Sequence, residues 1–183
     1  MQTVKSTEKK DSSIKLLVMT AMFAALITAA TAFVKLPTPF GYTHAGDSVV
    51  YLAAVLLPSP LSFAAAGIGG AAADLLSGYA VWAIPTAIIK MLNVLPFVLI
   101  RIVLKKKNKD TRAVSAGIVS MLVPSGLITV VGYFAANLLL YDAAAAAAEI
   151  PYNMIQATVA AALFIALGTA TDAARLKQRW FKT

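Results

Sequence analysis

The feature that most constrains this chain is a series of long apolar runs, each bordered by basic residues. Residues 14–34, 83–104, 113–140 and 151–174 carry few charges, and a fifth run over 46–77 is interrupted by Pro58-Ser59-Pro60. A helix needs about 20 predominantly apolar residues to cross a bilayer. Charged residues make up 13% of the chain and hydrophobic ones 60%, against about 25% charged in a soluble domain. Too little polar surface exists to enclose these runs in water. The chain therefore reads as an all-α integral membrane protein, a single membrane domain over 1–183 within the lipid bilayer.

The net charge of +8 is arranged for topology and not for nucleic acid, which is excluded as a partner. Fourteen of the 16 Lys and Arg residues fall in three clusters flanking apolar runs. Lys5, Lys9, Lys10 and Lys15 precede the first run. Arg101, Lys105, Lys106, Lys107, Lys109 and Arg112 divide the middle ones, and Arg175, Lys177, Arg179 and Lys182 follow the last. Basic residues next to spans mark the cytoplasmic side, so an even number of crossings must separate the first two clusters. Splitting the 46–77 run at its prolines satisfies that parity; leaving it whole does not. Six transmembrane helices follow, over about 14–34, 46–57, 61–77, 83–104, 113–140 and 151–174, with both termini cytoplasmic. The alanine-rich stretch 142–149 reads as an outer loop, with Pro151 in the first turn of the last helix. The first run exceeds the length of a signal-peptide core and, despite Ala30-Thr31-Ala32, is expected to remain as the first span.

The chain has no cysteine and one histidine, which removes thiolate chemistry and leaves no basis for a metal site. G-x-x-x-x-G-K-[ST], H-E-x-x-H and G-x-S-x-G are all absent from the sequence, so neither an enzyme activity nor a cofactor is expected here. Gly67-Ile68-Gly69-Gly70 lies inside a span, where close helix packing accounts for it.

Polar residues within spans are costly and usually functional. By helical rise, Lys90 and Asp74 lie about 22 and about 20 Å from the cytoplasmic ends of their spans, in the outer half. Thr86, Lys90 and Asn93 share one face of the fourth span. Tyr133, Asn137 and Tyr141 share a face of the fifth, and Asn153 and Gln156 a face of the sixth. Loops add Phe40, Tyr42, His44 and Asp47, then Tyr79 and Trp82. These groups converge at one level near the outer surface, as a pocket for a small flat polar ligand requires. Competing readings stand beside this one. Trp82 and Tyr141 also suit an interfacial belt, Asn137, Asn153 and Gln156 suit interhelical hydrogen bonds, and Asp74 with Lys90 suits a structural ion pair. His44 is a candidate lid residue. Ala21, Ala25 and Ala29 form a stripe of small residues on the first span, with Ala24, Thr28 and Ala32 beside it, suited to internal packing or to a partner helix.

With His44-Ala45-Gly46-Asp47, Asp74-Leu75-Leu76-Ser77-Gly78-Tyr79, Pro85-Thr86 and Lys90, the chain resembles the S components of energy-coupling factor (ECF) vitamin transporters, in the riboflavin-type branch. That resemblance implies six helices and a vitamin pocket beneath the loop joining spans 1 and 2. It also implies docking through Ala21, Ala25 and Ala29 onto a membrane-embedded coupling (T) subunit driven by two ATPase subunits. Its look is closest to S components for hydroxymethylpyrimidine or pyridoxine, with riboflavin the alternative ligand. Two readings from other classes are a non-transport membrane scaffold or regulator and a self-sufficient carrier or channel.

Overall fold

The structure, a computed structural model, describes residues 2–110 and 112–180, with side chains described from Ser13 onward. Lys182 and the side chains of Lys5, Lys9 and Lys10, counted above among the topology-setting charges, lie outside the described residues. Helix α1 (Gln2–Phe33) is followed by strands β1 (Lys35–Thr38) and β2 (Gly41–His44), then α2 (Gly46–Leu56) and α3 (Ser59–Leu76). A 3₁₀ turn (Ala80–Trp82) leads into α4 (Ala83–Lys106), and α5 (Ala116–Val119), α6 (Leu122–Leu140), α7 (Ala143–Ala173) and α8 (Leu176–Trp180) complete the chain. Among the described residues, five helical segments are long and apolar enough to cross a membrane, and α2 is a shorter apolar helix.

Proline sets two of the helix boundaries. Pro37 disfavours helix at the residue before it, and the chain turns into a hairpin that pairs Lys35 with His44, Leu36 with Thr43, Pro37 with Tyr42 and Thr38 with Gly41. The segment expected as a loop is thus a short antiparallel ribbon. At Leu57 the backbone becomes extended (φ −79°, ψ 157°), and Pro58 starts the new direction that α3 follows.

α2 has 11 residues, about 16 Å of helix, roughly half the apolar thickness of a bilayer. It need not face lipid along its length, because Val50, Tyr51 and residues 53–57 are almost entirely buried. Tyr51, Phe97 and Phe164 pack around it with ring centroids 5.1–6.0 Å apart. Asp47 in its first turn and Arg101 beyond its last place charges of the favourable sign at both ends of the helix dipole.

α1 packs on α3 through the glycine run. A Cβ on Gly69 would lie 2.8 Å from the Ala24 carbonyl oxygen and from Ile27, and Thr28 Oγ1 donates to the Gly69 carbonyl at 3.0 Å. The two small-residue stripes therefore separate: Ala24, Thr28 and Ala32 turn towards the bundle, whereas Ala21, Ala25 and Ala29 are exposed.

One expectation is corrected. The stretch 143–149 is helix and not loop. Asp142 caps it, accepting from the Ala145 amide at 2.8 Å, and alanine has the highest helix propensity of any residue. Pro151 therefore lies inside α7. The span expected over 113–140 contains a break: α5, capped by Ser115, is separated from α6 at Ser120 and Met121 within the apolar stretch Ala116–Leu140.

Candidate functional site

The hairpin lies across one end of the bundle and roofs a small cavity. Phe40, Gly41, Tyr42 and His44 form the roof, and Asp74, Tyr79, Trp82 and Thr86 form one wall. Tyr133 and Asn137 of α6, with Glu149 and Asn153 of α7, complete the lining. Seven of the expected ligand residues thus meet in one place: Tyr42, His44, Trp82, Thr86, Tyr133, Asn137 and Asn153.

The other four have different positions. Tyr141 is about half exposed at the rim, its ring 5.7 Å from Phe40 and 6.1 Å from Trp82. Asp47, Lys90 and Gln156 form a buried polar group next to the cavity. Lys90 Nζ pairs with Asp47 Oδ1, both side chains fully buried, and Gln156 Nε2 donates to Asp47 Oδ2 at 2.9 Å. Gln156 Oε1 accepts from Thr43 Oγ1 and from the His44 amide, each at 3.3 Å. The base of the hairpin is thereby joined to α2 and α4 through one glutamine.

The expected Asp74–Lys90 ion pair is corrected to Asp47–Lys90. Asp74 instead accepts a 2.5 Å hydrogen bond from the Tyr42 hydroxyl. Burial, followed by the adjacent Asp74 carboxylate, holds the Tyr42 phenol well above its usual range, so it stays a donor. His44 Nδ1 accepts from the Gly46 amide at 3.1 Å. Burial, reinforced by the Lys90 ammonium, pushes His44 down to about 3, so its ring is neutral at physiological pH.

Among the lining residues, Trp82 Nε1, Asn137 Oδ1 and Asp74 Oδ2 are buried without a hydrogen-bond partner among the described residues. Unsatisfied buried groups are rare and each needs an explanation. Asn137 Nδ2 donates to the Tyr133 carbonyl at 2.9 Å, which leaves the amide oxygen free as an acceptor. The other ring contacts, Tyr42 with Tyr79 at 5.0 Å and Trp82 with Tyr133 at 5.9 Å, surround these atoms with aromatic surface. The cavity therefore provides flat faces for stacking and hydrogen-bonding atoms for one polar edge. Among the described residues, no three His, Cys, Asp or Glu side chains come together as a metal site requires.

Two lining residues were missed from the sequence, Gly41 and Glu149. Glu149 Oε1 accepts from the Phe40 amide at 3.0 Å. Its charge places it in an outer loop by sequence, but the alanine run before it has the helix propensity that forms the start of α7.

The model of the family described as "ECF-type riboflavin transporter, S component" matches residues 11–173. An uncharacterised protein of Pyrococcus woesei is 29% identical over 133 residues, covering 72% of this chain and 84% of that one. Among solved structures, the S component of a bacterial ECF transporter superposes with a TM-score of 0.65 at 21% identity, covering 88% of this chain and 97% of that one. That likeness is one of fold.

Proposed function

The chain belongs to the family of ECF-type riboflavin transporter S components and is a multi-pass membrane protein; from that premise we propose that it binds hydroxymethylpyrimidine or pyridoxine for an ATP-driven importer. The observation that carries the reading is the roofed aromatic cavity, whose lining residues include Trp82, Asn137 and Asp74 with Nε1, Oδ1 and Oδ2 lacking partners among the described residues. A one-ring heteroaromatic vitamin stacks on Tyr and Trp faces and satisfies those atoms with its edge. Ligand contact is assigned to Tyr42, His44, Asp74, Trp82, Thr86, Tyr133, Asn137 and Asn153. Asp47, Lys90 and Gln156 hold the roof and Tyr141 guards the rim. Riboflavin is the second reading, favoured by the description of the family.

Six crossings with both ends cytoplasmic fit this arrangement. Lys15 Nζ donates to the Trp180 carbonyl at 2.8 Å, bringing the start of the first apolar run beside the last described residue. Lys177 and Arg101 meet at Asp110, so all three basic clusters contribute to that end. The exposed Ala21, Ala25 and Ala29 are suited to close approach of a coupling-subunit helix. With no phosphate-binding loop in the sequence, ATP hydrolysis is assigned to two partner ATPases and no cofactor is assigned to this chain.

Thermal melting of the purified protein with hydroxymethylpyrimidine, pyridoxine and riboflavin tests the reading, because a ligand that binds only the folded state raises its stability. A rise with one of the first two is expected. No response to any vitamin, together with purification free of ATPases and coupling subunit, would favour the membrane scaffold instead.

A further inference from the structure

The charge balance of the cavity restricts the ligand beyond its being flat and aromatic. Its lining contains two carboxylates, Asp74 and Glu149, and no Lys or Arg. Lys90 is close by but committed to Asp47. Lys35 stacks 4.7 Å from the centre of the Tyr42 ring and is not among the lining residues. Burial keeps the His44 imidazole neutral, so it does not offset the carboxylates.

The unpartnered atoms lean the same way. Asp74 and Asn137 are each 2% exposed, and each has an oxygen with no donor among the described residues. The corresponding unpartnered donor is Trp82 Nε1. A ligand edge that completes this set has more N–H groups than acceptors.

We propose that the cavity selects a nitrogen heteroaromatic with an amino group or a protonated ring nitrogen, engaged by Asp74 and Asn137, and rejects phosphorylated forms. This deepens the vitamin-site reading and rests on it. An amino group on the ring or a protonated ring nitrogen supplies donors to Asp74 Oδ2 and Asn137 Oδ1, and the positive charge of a protonated ring is attracted by both carboxylates at low local dielectric. The riboflavin ring edge presents two carbonyl oxygens around one N–H, which places acceptor against acceptor. A phosphate brings a further dianion beside two carboxylates and meets no free cation in the lining.

The test is titration calorimetry on the purified full-length protein. The probes are hydroxymethylpyrimidine, pyridoxine, riboflavin and the phosphate esters of all three. The inference expects the amino- or pyridine-bearing parent compounds to bind at least tenfold tighter than riboflavin, and each phosphate ester at least a hundredfold weaker than its parent. Asp74→Asn, in which the amide oxygen can still accept from Tyr42, should weaken the preferred ligand at least tenfold. Glu149→Gln, which keeps an acceptor for the Phe40 amide, should weaken it severalfold and decides the matter if Asp74→Asn does not fold. Preference for riboflavin, equal binding of an ester and its parent, or unchanged affinity in a folded Asp74→Asn protein would overturn the inference and leave the vitamin site standing. Wild-type protein that binds none of the six compounds would overturn the vitamin site itself.

Discussion

Lys90 and Asp47 meet as a fully buried ion pair, with Gln156 donating to the second carboxylate oxygen at 2.9 Å. The pair connects α4 to the first turn of α2, and the glutamine extends the connection to α7 and the hairpin. Breaking a buried pair from one side leaves an uncompensated charge, at a cost of about 3–5 kcal/mol. Lys90→Met alone and Asp47→Asn alone should each lower the melting temperature sharply. The double variant should be more stable than the sum of the two losses allows, because neither charge is stranded. Additive losses would show that the two side chains act independently.

The neutral His44 gives the protein an acid-sensitive stability. In the unfolded chain the imidazole titrates near 6.5, and in the folded protein near 3. Between those values the unfolded state takes up a proton that the folded state refuses, so stability is fully present above about 6.5 and declines as pH falls towards 3. The melting temperature should therefore drop between pH 7 and pH 5. His44→Gln, which cannot titrate, should show a smaller drop over the same interval, and an equal drop would locate the sensitivity elsewhere.

Glu149 pins the tip of the hairpin. Its carboxylate accepts from the Phe40 amide at 3.0 Å, while Gln156 holds the base 109 residues away in sequence from Asp47. Glu149→Ala leaves that amide without its partner and should loosen the tip by about 1–3 kcal/mol of local opening. Amide hydrogen exchange should rise across residues 38–42 while exchange in the α4 core stays unchanged. Glu149→Gln retains an acceptor and should restore most of the protection.

Much of this arrangement was legible in the sequence because proline and charge act locally. Pro37 and Pro58 marked the end of α1 and the break between α2 and α3 through backbone restrictions that apply in any context. Tyr133 and Asn137 could be placed on one side of the cavity because helical periodicity fixes which residues share a face. The partner of Lys90 was not legible: Asp47 and Asp74 both lie on neighbouring elements at the same level, and the hydroxyl of Tyr42, which engages Asp74, reaches it only through the hairpin. Glu149 was missed for a related reason. Its acidic charge suggested an outer loop, but the seven residues 143–149 have strong helix propensity and a capping Asp142, and those local energies prevailed.

The last prediction concerns the opposite end of α2. In a regular helix the Ala54 carbonyl would accept from the amide of residue 58, but Pro58 has none. Arg101 replaces it: its Nη1 donates to the Ala54 carbonyl at 2.6 Å and to the Leu57 carbonyl at 2.7 Å. Its Nε reaches Asp110 Oδ2 at 3.3 Å, and Lys177 Nζ donates to the other Asp110 oxygen at 2.6 Å. Burial lowers the Lys177 ammonium, with Asp110 acting against that shift, so the carboxylate is what keeps two cations together at this end. Arg101→Met leaves two buried carbonyls unpaired and should cost about 3 kcal/mol or more. Arg101→Lys preserves the charge but loses the planar fork that reaches the carbonyls and Asp110 together, so it should recover only part of that loss. Melting temperatures in detergent check the order, wild type above Arg101→Lys above Arg101→Met. If Arg101→Lys matches wild type, only the charge at the α2 C-terminus matters and not the replacement of the missing Pro58 donor.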